Sequence, residues 1–320
     1  MSIREVNTCI MKILICDKLD TLAVENLQEL GDCIDVSNEK NKEALIEENI
    51  ADADILLVRS GTNITKELID KANSLKIIAR CGVGIDNIEI SEATKKNIFV
   101  TNTPNANIIS AAELTIGLMI AAARNISIAD NSLKNKEWSR SEFTGIELYG
   151  KHLGLVGFGK VARLVSERLQ SFGMKIVFYD PFVESSTEFE QKLNLNELLE
   201  TSDFVSLHVP KTDETKNLIS KDKLSIMKSN AIIINASRGG VIDEDAVFEL
   251  VNQNKLFSAG FDVYENEPPN LDKESINSKA ITLPHLGAST KEAQQRTGKE
   301  VVDNIKDILS GDLTSVLNKK

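Results

Sequence analysis

The stretch His152-Leu-Gly-Leu-Val-Gly-Phe-Gly-Lys-Val-Ala162 decides how the chain is read. An apolar run ends in Gly157-x-Gly159-x-x-Ala162 and passes directly into a helical pattern. Glycines at such a turn let the backbone approach a pyrophosphate, whose charge is met by the N–H groups and positive end of the following helix. Ala162 stands where the third glycine of this fingerprint is usual, a position that serves helix–strand packing. The next apolar run, Lys175 to Tyr179, ends at Asp180. An acid about 20 residues beyond the first glycine can hydrogen-bond a ribose 2′-hydroxyl and would repel a 2′-phosphate, so NAD is expected over NADP. The competing reading is an ordinary strand–helix turn, with Asp180 merely opening the bend at Pro181.

Working outward, short apolar runs alternate with amphipathic segments. Lys12 to Cys16, Ile55 to Val58, Lys76 to Ala79 and Ile98 to Val100 form one series of expected strands. Leu153 to Val156, Lys175 to Tyr179, Phe204 to His208, Ala231 to Asn235, Phe257 to Val263 and Ile281 to Leu283 form a second. Strands alternating with helices indicate βαβ units, hence an α/β protein with two parallel sheets. The helical stretch Ser289 to Leu309 covers a sheet that the sequence alone does not identify.

Composition narrows the function. Forty-eight acidic against 37 basic residues give a net charge of -11, which disfavours nucleic acid and anionic membranes as partners. An anionic substrate would therefore need a local arginine cluster. The apolar stretch Ile108 to Ala123 contains Ser110, Glu113 and Thr115 and reads as a buried core helix rather than a membrane span. Cys9, Cys16, Cys33 and Cys81 lack metal-like spacing and follow no signal peptide, so free thiols, no metal and a cytoplasmic location are expected.

Oxidising or reducing an alcohol carbon by hydride transfer needs a base for the hydroxyl proton and a cation for an adjacent carboxylate. His285, just beyond the run Ile281-Thr-Leu, is best placed as the base. His208 ends another run and reads as packing near the cofactor, while His152 reads as exposed. Glu267, in a loop before Pro268-Pro269, could pair with an imidazole, but on the sequence alone it reads as a solvated loop acid. Arg238, followed by Gly239-Gly240, can clamp a carboxylate through two parallel hydrogen bonds. Arg59 and Arg80 also end apolar runs.

Several segments then resemble one family along nearly the whole chain from Met11, the D-isomer-specific 2-hydroxyacid dehydrogenases. They are Arg80-Cys-Gly-Val-Gly-Ile-Asp-Asn, Asn102-Thr-Pro-Asn, Ala111-Ala-Glu-Leu-Thr, Gln170-Ser-Phe-Gly-Met-Lys, Asn235-Ala-Ser-Arg-Gly-Gly and Pro284-His-Leu-Gly-Ala-Ser-Thr-Lys-Glu-Ala-Gln. The resemblance implies that Arg238, Glu267 and His285 are the catalytic set, with Asp262 contacting the nicotinamide carboxamide. The cofactor site would then comprise Gly157, Phe158, Gly159, Lys160, Val161, Asp180, His208, Pro210, Ala236, Ser237, Arg238, Asp262 and His285. The substrate site would comprise Arg59, Ser60, Arg80, Gly82, Val83, Arg238 and His285, with Arg140 reaching a partner subunit.

The same resemblance implies a discontinuous flavodoxin-like substrate domain, residues 1–105 with 290–320, interrupted by a Rossmann-like NAD-binding domain over 106–289. It further implies a homodimer held by an arm made of the long helix after Pro104 and the Lys134 to Leu148 region, and a small anionic 2-hydroxy acid as substrate. A phosphorylated acid, 3-phosphoglycerate, is the leading expectation, with glyoxylate or hydroxypyruvate as the alternative. A nucleotide-sensing corepressor on the same fold is the reading from another class. Since the sequence stops at Lys320, no C-terminal regulatory domain of the kind longer relatives carry is expected. Cys81 stands where a small alanine is expected, as an inert or an oxidation-sensitive thiol.

Overall fold

Two wholly parallel sheets organise the chain in the computed structural model, which describes residues 10–183, 189–192, 194–270 and 279–319. Cys9 lies outside the described residues. The chain divides into two compact units, Met1–Asn107 with Thr290–Lys320, and Ile108–Ser289.

The first unit carries β1 (Met11–Ile15), β2 (Gly31–Asp35), β3 (Ile55–Val58), β4 (Ile77–Arg80) and β5 (Phe99–Asn102). Their order, β2-β1-β3-β4-β5, is the flavodoxin-like doubly wound order. The strand β2 was not among the expected ones. Its sequence, Gly-Asp-Cys-Ile-Asp, sits at a partly exposed edge and carries too little apolar signal to be read. The final helix, Lys291–Ser310, is capped by Thr290, whose hydroxyl accepts from the Ala293 N–H at 3.0 Å. It packs on the first sheet, burying Val301, Val302, Ile305 and Ile308 against Ile13, Ile15, Ile55, Leu57 and Ile77. Beyond it, the Asn318 side chain accepts from the Val100 N–H and donates to the Ile98 carbonyl, each at 2.9 Å.

The second unit carries β6 (His152–Val156), β7 (Lys175–Tyr179), β8 (Glu190–Gln191), β9 (Phe204–Leu207), β10 (Ile232–Asn235), β11 (Ser258–Phe261) and β12 (Ile281–Thr282). Read from β8, the order β8-β7-β6-β9-β10-β11-β12 is the Rossmann arrangement extended by one strand. The apolar helix Ile108–Ala123 lies against β10, β11 and the helix Lys160–Gln170. Its fully buried residues include Leu118 and Met119, each worth roughly 1.5–3 kcal/mol. Among the described residues, no single helix is long and apolar enough to cross a membrane.

The same polar seam recurs in both sheets. In the first, the Asp54 carboxylate accepts from the Lys12 N–H and the Lys76 ammonium, both at 2.9 Å. In the second, Asp203 accepts from the His152 N–H and the Lys228 ammonium, again both at 2.9 Å. Each aspartate precedes the strand beside the sheet's first strand and fixes where that pair begins.

Candidate active site

In the seven-stranded unit the strand order reverses between β6 and β9, and ligands of doubly wound sheets bind at the carboxyl ends of the strands at such a point. Gly157 leaves β6 with φ +88°, and a Cβ there would lie 2.5 Å from the His208 carbonyl oxygen after β9. Only glycine lets the two strand ends approach so closely. Gly159 caps the helix Lys160–Gln170 without contributing a side-chain acceptor, which suits the helix start to a pyrophosphate. The Asp180 carboxylate accepts from the Phe158 N–H at 2.8 Å and the Phe182 N–H at 2.9 Å. It thus opens the bend at Pro181 and ties that bend to the glycine loop, with lone pairs left for ribose hydroxyls. Fixed glycine turn, helix start and carboxylate together fit a dinucleotide.

His208 lies across the switch point from Gly157, its Nε2 2.9 Å from the Ser206 hydroxyl. Burial pushes its imidazole down to about 4, so the ring is neutral at pH 7. Pro210 follows on the same loop, while Ala236 and Ser237 follow β10.

The candidate catalytic residues follow β10, β11 and β12. His285 Nδ1 lies 2.7 Å from Glu267 Oε2, and the second Glu267 oxygen accepts from the Tyr264 N–H at 3.2 Å. From its own residues Glu267 reads as a solvated loop acid and only the family resemblance makes it an imidazole partner; the structure pairs it with His285. His285 has φ 54°, an uncommon backbone for a histidine. Asp262, 1% exposed, holds the following segment by accepting from the Leu286 N–H at 2.6 Å and the Gly287 N–H at 2.7 Å. Burial pushes the Asp262 carboxyl up, while those two donors pull it back in part. This anchoring of the His285 backbone has only one trace in the sequence, an acid directly following an apolar strand. Arg238 is fixed through its backbone, its carbonyl accepting from Asn235 at 2.9 Å, and one guanidinium nitrogen donates to the Ser237 carbonyl at 2.7 Å.

In the five-stranded unit Arg59 follows β3 and Arg80 ends β4. Ser60 is exposed on the turn after Arg59, and Gly82 and Val83 follow Arg80. Cys81 between them is buried, and that burial pushes its thiol up to about 12 although Arg59 and Arg80 both favour the thiolate. Arg140 lies exposed in the short 3-10 turn Arg140–Phe143 of the second unit.

Residues 116–287 match the family model described as D-isomer specific 2-hydroxyacid dehydrogenase, NAD binding domain. The chain belongs to this family. A D-3-phosphoglycerate dehydrogenase of Methanocaldococcus jannaschii is 47% identical over 95% of this chain, which spans 58% of that relative's length. A hydroxypyruvate reductase of Thermotoga maritima is 43% identical over 90% of this chain and 94% of its own length. A solved Thermus thermophilus protein superposes with a TM-score of 0.89 at 30% identity, over 96% of this chain and all of that one.

Proposed function

We propose that this protein is an NAD-dependent dehydrogenase that oxidises 3-phospho-D-glycerate to 3-phosphohydroxypyruvate, the reaction that opens serine synthesis. The paired imidazole and carboxylate at 2.7 Å, beyond β11 and β12 at the carboxyl ends of the same sheet that carries the dinucleotide-fitting turns, is the observation that carries the dehydrogenase reading. Bound NAD supplies the acceptor for the hydride that leaves C2. His285, oriented through Nδ1 by Glu267, takes the C2 hydroxyl proton at Nε2 as the carbonyl forms. The Glu267 carboxylate then faces an imidazolium instead of a neutral ring, an attraction that grows as the proton transfers. Arg238 binds the substrate carboxylate and C2 oxygen, so charge developing on that oxygen meets a fixed cation. Arg59 and Arg80, with Ser60, Gly82 and Val83, take the remaining anionic groups, and a pair of arginines suits a phosphate.

Support for the phosphorylated substrate comes from those arginines and from the 47% identical phosphoglycerate dehydrogenase. The 43% identical hydroxypyruvate reductase favours a second reading, reduction of an unphosphorylated 2-oxo acid. Exposed Ile126, Leu133 and Trp138 around the helix Ile126–Lys134 support a homodimer, with Arg140 reaching the partner's site. Free thiols at Cys16, Cys33 and Cys81 fit a cytoplasmic setting.

The test is NADH formation from NAD and 3-phosphoglycerate at alkaline pH, beside reduction of glyoxylate and hydroxypyruvate with NADH and with NADPH. A selective signal with phosphoglycerate and NAD supports the first reading. Reduction of the unphosphorylated acids alone moves the protein to the second, and NADH binding without turnover of any 2-hydroxy or 2-oxo acid moves it to a nucleotide sensor.

A further inference from the structure

The turn Arg59-Ser-Gly-Thr62 leaves β3 where the five-stranded sheet reverses its order, between β1 and β3. A four-residue turn at such a place has many accessible shapes, yet its Arg59, Gly61 and Thr62 groups are held by three side chains from outside the turn. Asp17, directly beyond β1 and 8% exposed, accepts from the Arg59 N–H at 2.7 Å and from the Thr62 hydroxyl at 3.0 Å. The Gly61 Cα lies so close to this carboxylate that a Cβ would stand 2.8 Å from Asp17 Oδ1. On the carbonyl side, the Asn87 amide nitrogen donates to the Arg59 carbonyl at 2.7 Å and the Thr62 carbonyl at 2.6 Å. Lys42 closes the arrangement, donating to Asp17 at 2.9 Å, to the Thr62 hydroxyl at 3.1 Å and to the Gly61 carbonyl at 3.3 Å.

The charge arrangement separates this from simple loop packing. A carboxylate beside an arginine usually binds the guanidinium and cancels its charge. Here Asp17 binds the Arg59 backbone, its own charge is met by Lys42, and the Arg59 guanidinium donates instead to the Lys18 carbonyl at 3.3 Å. The turn is fixed, and among the described residues no carboxylate pairs with the Arg59 guanidinium, which leaves its charge to an anion.

We infer that Asp17 and Asn87 are positioning residues for substrate binding, clamping the Arg59 turn so that its cation is preorganised for an anionic substrate, with Lys42 neutralising the clamp. This inference rests on the reading of Arg59 as a substrate residue, which the test checks separately. Ordering a turn in advance lowers the cost of binding, so the effect falls on affinity rather than on the chemical step.

The experiment measures KM for 3-phosphoglycerate, kcat, NADH affinity and Tm in Asp17→Asn, Asn87→Ala and Arg59→Gln. Loss of hydrogen bonds to a charged or turn-fixing group should raise KM about tenfold in Asp17→Asn and Asn87→Ala, with kcat and the NADH Kd within about twofold of the parent. Should Asp17→Asn yield no folded protein, Lys42→Gln tests the clamp from its other end. Folded clamp variants with unchanged KM, beside an Arg59→Gln variant whose KM rises, overturn the clamp and leave the substrate reading standing. Equal losses in kcat, NADH binding and Tm overturn it too, since they mark a merely structural role. An Arg59→Gln variant with parental KM removes the substrate reading, and the clamp with it.

Discussion

Glu267→Gln tests the proposed mechanism most directly, because it keeps the size of the side chain and removes only charge and one acceptor. Each Glu267 oxygen faces a donor, His285 Nδ1 at 2.7 Å and the Tyr264 N–H at 3.2 Å. An amide cannot serve both. If its oxygen faces Tyr264, its NH2 group must donate to Nδ1, which forces the imidazole proton onto Nε2 and blocks proton uptake there. If it turns over, two donors meet at Tyr264. The lost attraction to the imidazolium can also be sized. At 2.7 Å, Coulomb's law in bulk water gives about 1.5 kcal/mol, roughly tenfold in rate. Because the two side chains are 42% and 36% exposed, that water-like value is the appropriate floor. The tautomer effect adds to it, since the equivalent carboxylate-to-amide change in serine proteases costs about 10⁴ in kcat. We expect kcat for the proposed 3-phosphoglycerate oxidation to fall between about tenfold and 10⁴-fold, with NADH affinity retained. Steady-state kinetics with an NADH fluorescence titration measures both. A kcat within about threefold of the parent would refute the pairing as a working part of the site.

Three further outcomes follow from the geometry. Gly157→Ala forces a side chain onto a φ of +88° and against the His208 carbonyl, so NADH affinity should fall at least about tenfold by titration, and an unchanged Kd would contradict the cofactor site. Cys81, with its thiol pushed up to about 12, should stay unlabelled by an aromatic disulfide in the native protein and react only on unfolding; rapid native labelling seen by mass spectrometry would show that the thiol is accessible. Burial alone would raise Asp54 and Asp203, yet hydrogen bonds from Lys12 and His152 and the ammonium groups of Lys76 and Lys228 hold both below the usual carboxylate range. Their folded values lie below their unfolded ones, so the stability they give is complete above the ordinary range and is lost as pH falls through the folded values. The double change Asp54→Asn with Asp203→Asn should therefore lower Tm at neutral pH and flatten its decline below about pH 4, and an unaltered acid limb would argue against the seams.

Both sheets were legible from apolar periodicity because parallel strands are buried on both faces and read as continuous runs, as in Ile55–Val58 and Ile232–Asn235. Strands at the polar edges, β2 and β8, give no such signal. In the candidate site, local order was readable: Gly157 and Asp180 are set by a turn and the next strand end, and His285 by its place after an apolar run. What stayed hidden depends on residues distant in sequence. The Asp17 contact with Arg59 spans 42 positions and the Asn87 contact with Thr62 spans 25, and nothing in either aspartate or asparagine alone marks it as a clamp. The same holds for Asp262, whose two acceptor bonds lie 24 and 25 residues further along.

The order in which the chain leaves the ribosome bears on how these units form. The seven-stranded unit is contiguous, Ile108–Ser289, and has all its strands before the last helix is made. The five-stranded unit waits, because Ile13, Ile15, Ile55, Leu57 and Ile77 are covered by Val301, Val302 and Ile305, and Val100 is bonded to Asn318. Translation thus finishes the second unit while the first still has a bare apolar face. That face is the place where a chaperone would be needed, and where nascent chains stalled before the final helix would aggregate.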